Sequence, residues 1–321
     1  MTDATEPRLK HLPVTFFAIV MGLMGLSLAF HAAAPVFRPA ETLSGVVLWV
    51  GIAAAAAIAL AYLAKAARYP AMVAWEWHHP VRLAFFPTIT ISLLLMAAAL
   101  STHAESLARV IWHIGTIGQG LLTLAVINGW IGHRSFQVGH LTPAWFIPAV
   151  GNVIVPVAGA EFGYLETSWA FFSVGMIFWG VLLTLVMNRL MFHDPIPARL
   201  FPTMVILIAP PSVAFVAYVK MSGGSVDNFA RVLLYAAWFF AALVLAELPK
   251  LVKLPFALSW WALSFPLAAL TVASFLFGRL EQSGVHLAVG AVGLATVSLV
   301  VLGLIWRTGI AMKRGEICQP E

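Results

Sequence analysis

The side chains able to bind or react are few, and their spacing excludes most chemistry. His78-His79 and the pair His133 and His140 come nearest to a metal set. A zinc site needs three or four converging ligands. Neither pair has a carboxylate or thiolate to complete one, so both read as loop histidines and no metal is expected. The one cysteine, Cys318, lies in the C-terminal tail, which leaves no disulfide and no CxxC pair. Gly115 and Gly118 lack the Lys-Ser/Thr of a phosphate loop. They suit close helix approach instead, as do Gly22 and Gly25. Ser264 has no base near it in sequence, so neither a catalytic set nor a cofactor is expected.

What remains is weakly polar and sits inside long apolar runs: Thr88, Thr90, Ser92, Asn152, Ser212, Ser264 and Thr271. Prolines stand among them at Pro87, Pro148, Pro156, Pro202, Pro210, Pro211 and Pro266. Full charge is nearly absent from these runs, with Arg82 and Glu247 at their ends. Weak dipoles without a charged anchor suit passage rather than holding, since an ion must leave as readily as it enters. Hydroxyls and the amides near proline kinks present partial positive charge, which suits an anion, although these residues alone leave the sign of the ion open. Phe265, directly before Pro266, has two readings: a plug in a narrow apolar constriction, or a ring packed between helices.

The elements that must carry these residues are membrane helices. The chain is 61% hydrophobic and 10% charged, against about 25% charged in soluble domains. Its basic residues are scattered between apolar runs, so the formal charge of +5 points to topology rather than nucleic acid. About 20 apolar residues cross a bilayer, and ten runs qualify, near 12–33, 42–64, 80–101, 106–131, 143–163, 166–190, 198–222, 226–248, 255–279 and 284–308. Short loops make successive helices antiparallel hairpins. The expected organisation is an N-terminal tail at 1–11, a transmembrane unit at 12–308 and a C-terminal tail at 309–321. Thirteen of the 18 basic residues fall on the side of the termini, which places both termini in the cytoplasm of a cytoplasmic membrane.

The odd-numbered runs open alike. Leu12-Pro13, His79-Pro80, Thr142-Pro143, Ile196-Pro197 and Leu254-Pro255 each precede an aromatic residue, and these runs also hold the deep prolines. The even runs are rich in Ala, Leu and Val and contain no proline before their final turn. The pattern predicts an all-α fold of five repeated hairpins. In it, five proline-kinked inner helices surround an axis and five straighter helices face lipid.

Several motifs in order, Ile114-Gly115-Thr116-Ile117-Gly118-Gln119, Phe146-Ile147-Pro148-Ala149-Val150, His79-Pro80-Val81-Arg82 and Trp261-Ala262-Leu263-Ser264-Phe265, carry a resemblance over essentially the whole chain. It resembles the tellurite-resistance/dicarboxylate transporter family, which includes plant guard-cell slow anion channels and the yeast malate permease. The resemblance implies a ten-helix homotrimer with one pore per protomer, gated by a Phe at the position of Phe265. It also implies that Gly22 gives the gate ring room to pack. The kinase-regulated tails of the plant channels have no counterpart in termini this short. The function implied is conduction of small monovalent anions, such as chloride or nitrate. The alternative within the family is a secondary carrier for tellurite or C4-dicarboxylates such as malate.

Overall fold

In the computed structural model the described residues are 7–132 and 136–319, so His133 lies outside them. Eleven helices account for most of the described residues. They are α1 (Val14–Ala33), α2 (Pro39–Arg68), α3 (Pro70–His78), α4 (Arg82–Leu100), α5 (Glu105–Gly132), α6 (Pro143–Gly159), α7 (Leu165–Phe192), α8 (Phe201–Met221), α9 (Asn228–Leu251), α10 (Leu258–Leu280) and α11 (Gly284–Arg314). All but α3 coincide with the ten predicted spans to within a few residues.

The helices sort into two kinds. Most of α1, α4, α8 and α10 is buried, as is every residue of α6 from Phe146 to Gly159, whereas a third or less of α2, α5, α7, α9 and α11 is buried. Each buried helix packs against the exposed helix that follows it. The buried helices also touch one another in a closed ring, α1 to α4 to α6 to α8 to α10 and back to α1. The described segment before α1 and the end of α11 meet on one face, where the Arg8 guanidinium donates to the carbonyl of Met312 at 3.0 Å.

The inner helices share a local peculiarity: each begins as 3-10 helix and continues as α-helix. The tight turns run over Val14–Phe16, Arg82–Phe85, Pro143–Trp145, Phe201–Ile208 and Leu258–Leu263. The prolines lie at or near these junctions. Pro87 caps the α-helical part of α4, and Pro202 opens the 3-10 stretch of α8. Pro210 falls in the first α-turn of α8, Pro148 in that of α6 and Pro266 in that of α10. A first-turn proline loses nothing, because its missing N–H would have no partner there. The prolines thus mark the changes of helix type, and Pro156 is the one described inner-helix proline beyond the first turn of an α-helical stretch. A 3-10 helix also rises about 2.0 Å per residue against 1.5 Å for an α-helix, so each inner segment reaches about 1.5–4 Å further than an α-helix of its length would.

Small residues allow the ring to close. A Cβ on Gly22 would stand 2.4 Å from Ser264 Oγ, and one on Gly25 would stand 3.0 Å from the Ala268 methyl. The α1–α10 seam thus depends on two glycines one helical turn apart.

Candidate functional site

A cavity of about 860 Å³ opens on the face where Arg8 meets Met312 and runs into the ring. Every inner helix contributes to its wall at a spacing near three residues: Thr15, Ala18 and Met21 on α1; Phe85, Thr88 and Ile91 on α4; Ile147 and Val150 on α6; Ile206 and Ala209 on α8; Ala262, Phe265 and Pro266 on α10. A step of three keeps residues on one face both in the 3-10 starts, where i and i+3 eclipse, and in the α-helical turns that follow. The inner helices all run away from the mouth, so the last wall residue of each is the deepest. These deepest wall residues, Met21, Ile91, Val150, Ala209 and the pair Phe265-Pro266, are apolar, and Phe265 supplies the one aromatic side chain among them. The Phe265 ring is buried, and the Cβ position of Gly25 lies 3.4 Å from its edge.

Of the other residues singled out from sequence, Thr88 and Pro266 are on this wall. Gly22, Pro87, Pro148, Asn152, Pro202, Pro210 and Ser264 are not among the residues that line it. Asn152 turns toward α5 instead. Its amide donates to Thr123 Oγ1 at 2.9 Å and to the Pro148 carbonyl at 2.8 Å. Gln119, fully buried on α5, completes this network by donating to the same carbonyl at 3.0 Å and accepting from Thr90 at 2.6 Å. A Cβ on Gly151 would stand 2.3 Å from the Gln119 amide nitrogen, so α6 leaves room for the side chain.

The inner hydroxyls are committed to backbone. Thr88 donates to Phe85 O at 2.6 Å, Ser92 to Thr88 O at 2.7 Å, Ser212 to Ile208 O at 2.7 Å and Ser264 to Trp261 O at 2.6 Å. These protons satisfy carbonyls near the helix junctions rather than facing a ligand. That corrects the expectation that hydroxyls supply positive potential. Positive charge gathers instead at the mouth, where Arg82 and Arg199 line the chamber with His11 and His79. The C-terminal residues Glu316 to Gln319 also line the mouth, turned back over it by Gly315 in the left-handed conformation (φ 67°). Cys318 is half-buried there. Burial pushes its thiol up, and the charges of Arg8 and Lys65 oppose this in part.

The charge cluster behind this mouth was not anticipated from sequence. Glu76, on α3, is fully buried. Its Oε1 accepts from the Val14 amide at 3.2 Å and the Arg82 guanidinium at 2.9 Å, and its Oε2 accepts from the Tyr62 hydroxyl at 2.9 Å and the Lys65 ammonium at 2.7 Å. Lys65 also donates to the Leu12 carbonyl at 2.7 Å. One carboxylate therefore ties the end of α2 to the starts of α1 and α4. A buried ion pair survives when its remaining lone pairs are satisfied, and here four donors meet two oxygens. The signal visible in the sequence is an acid set between tryptophans in Trp75-Glu76-Trp77. Among the described residues no cluster of three or more His, Cys, Asp or Glu is placed to hold a metal.

A bundle that presents ten apolar spans, with a chamber walled by all five of its inner helices, is a multi-pass membrane protein organised around an axis. Residues 11–309 match the SLAC1 family, described as voltage-dependent anion channels, and the chain belongs to that family. It is 31% identical over 300 residues to the tellurite resistance protein TehA homolog of Haemophilus influenzae, covering 92% of this chain and 90% of that one. It is 26% identical over 313 residues to the S-type anion channel SLAH2 of Arabidopsis thaliana, covering 94% of this chain and 60% of the plant protein. A transporter of Methanocaldococcus jannaschii is 26% identical over 324 residues, covering 93% of this chain and 91% of its own.

Proposed function

We propose that the protein is an anion channel of a bacterial cytoplasmic membrane that conducts small monovalent anions, with both termini in the cytoplasm and Phe265 as the gate. The observation that carries the reading is the shared wall. Five like-directed helices each give residues to one chamber, and the deepest residues on its wall are apolar, with Phe265 the single aromatic among them. A chamber lined with Arg82 and Arg199 at its mouth attracts anions, and an apolar constriction without a buried cation gives them no tight site. Family membership and a relative named as an anion channel support the same class. The protomer is proposed to assemble as a homotrimer, each copy with its own pore and each built from five copies of one two-helix unit.

The test is electrical. In planar bilayers, Phe265→Ala should conduct several-fold more than wild type, and reversal potentials under chloride and nitrate substitution should follow the anion gradient. An alanine form that conducts no more than wild type removes Phe265 from the gate. Saturable flux coupled to a proton gradient, without single-channel steps, would assign the protein instead to carriers of tellurite or dicarboxylates.

A further inference from the structure

The chamber wall continues toward the face opposite its mouth. An α-helix turns about 100° per residue, so positions seven and eleven residues on return to within about 20° of the same face. Counting seven from Met21, Ile91, Val150, Ala209 and Phe265 leads to Leu28, Ala98, Val157, Val216 and Val272. Leu28, Ala98 and Val272 keep partial exposure in helices that are mostly buried. The axis face therefore runs on to the far ends of the helices. Counting eleven along α6 and α8 leads to Glu161, in the turn just after Gly159, and to Lys220 in the last turn of α8. These two meet. Lys220 Nζ lies 2.7 Å from Glu161 Oε1 and donates to the Val157 carbonyl at 2.9 Å. His31, at the end of α1, feels the charges of both, together with those of Glu41 and His103. In the ring α1 packs against α4 and α10 and lies across from α6 and α8, so that influence spans the far end of the axis.

A cation at this place answers an electrostatic problem. All five inner helices point their carbonyl ends at the far face, and a helix C-terminus carries about half a negative charge. An anion on the axis thus meets attraction where the helices start and repulsion where they end. Lys220 takes up one of those carbonyls and sets an ammonium among them. Two of its three donors are used, and its side chain is 27% exposed, so the third donor can meet an anion. Glu161 is 49% exposed, and a pair solvated to that degree is weak enough for a passing anion to replace the carboxylate. We infer that Lys220 is the exit site for anions at the far mouth of the axis, and that the Glu161 carboxylate is a tethered competitor for it. This rests on the anion-channel reading and adds the residues that govern passage at the far mouth. A pair that only braced α6 against α8 would respond alike to loss of either partner. A site and its competitor respond in opposite directions.

The experiment is single-channel recording of the full-length protein in planar bilayers at about 0.1 M chloride, where charges act over about 10 Å. The parents are wild type and Phe265→Ala, each with and without the exit substitutions. A single-channel current reads folded channels, so a variant that folds poorly lowers the number of channels and not the current through each. Lys220→Gln should lower the current of chloride entering from the far side by about two-fold or more, and Glu161→Gln should raise it by about two-fold. Both differences should shrink at about 1 M chloride, where screening shortens the range to about 3 Å. Glu281→Gln removes a carboxylate that pairs with Arg231 of α9 on the same face, about 160° around α10 from Phe265, and it should leave the current unchanged. The exit site is overturned, with the channel reading intact, if Lys220→Gln and Glu161→Gln do not move the current in opposite directions. Differences that persist in high salt, or an equal change in Glu281→Gln, overturn it as well. Absence of chloride current from both parents removes the channel reading and the exit site with it.

Discussion

Helices α8 and α11 are both strongly apolar and both long enough to cross a membrane, yet they are built differently. α8 is 21 residues, starts with eight residues of 3-10 helix and holds Pro202, Pro210 and Pro211. α11 is 31 residues of unbroken α-helix with no proline. The first is buried nearly throughout, and the second is mostly exposed. A helix in lipid must satisfy its backbone within itself, because hydrocarbon offers no other partner. A helix among protein can give up regularity where neighbours and its own hydroxyls take over the freed carbonyls, as Ser212 does at Ile208. Irregularity, not apolarity, marks the inside of this molecule.

Four substitutions break or sharpen that contrast. The largest effect is expected where an outer helix is tied by charge to the inner starts. Glu76→Gln leaves Lys65 buried without its counter-charge, and breaking a buried pair costs about 3–5 kcal/mol. The unfolding midpoint in denaturant should fall accordingly, and an unchanged midpoint would mean the cluster does not hold the starts of α1 and α4. Gly22→Val drives a side chain into Ser264 and Trp261 across the inner seam, for an expected loss of about 1–3 kcal/mol from overpacking. The same measurement on a lipid-facing glycine, Gly303 on α11, which has open space around its Cβ position, should go the other way. Before that comes Gln119→Leu, which removes the one outer-helix amide that reaches α6. Thr90 keeps Pro87 O at 3.0 Å and the Pro148 carbonyl keeps Asn152 at 2.8 Å, so the expected loss is only about 1 kcal/mol. Gly303→Ala is the smallest, a gain of at most about 1 kcal/mol from helix propensity. Equal effects at Gly22 and Gly303 would erase the distinction between the two kinds of helix.

Much of the architecture is legible in the residues. The ten spans and the separation into proline-bearing and proline-free helices follow from run length and from where Pro13, Pro80, Pro143, Pro197 and Pro255 stand. The orientation of side chains on the inner helices is not legible, for a physical reason. A helix buried on all sides has no polar face to set its rotation, so nothing in Phe146–Gly159 tells whether Asn152 meets the axis or α5. Phe265 reaches the chamber wall and Ser264 beside it does not, a difference of one residue on a 3-10 to α junction. The helix α3 was hidden differently. Nine residues between Pro70 and His78 are too few for a periodic signal, and their fold is fixed by where Glu76 finds its four donors. Lys65 and Glu76 are 11 positions apart on separate helices, so a pair that is plain in three dimensions looks like two unrelated loop charges in one.

The closed ring has a consequence for how the molecule is made. Four of its five seams join inner helices that follow one another along the chain, and each can form as soon as the next hairpin is synthesised. The fifth, between α1 and α10, joins the first membrane segment to the ninth, some 240 residues later. Throughout synthesis the glycine face of α1 around Gly22 and Gly25 waits for a partner that does not yet exist. When α10 arrives it brings Phe265 with it, so the step that closes the wall of helices is also the step that adds this ring to the chamber lining.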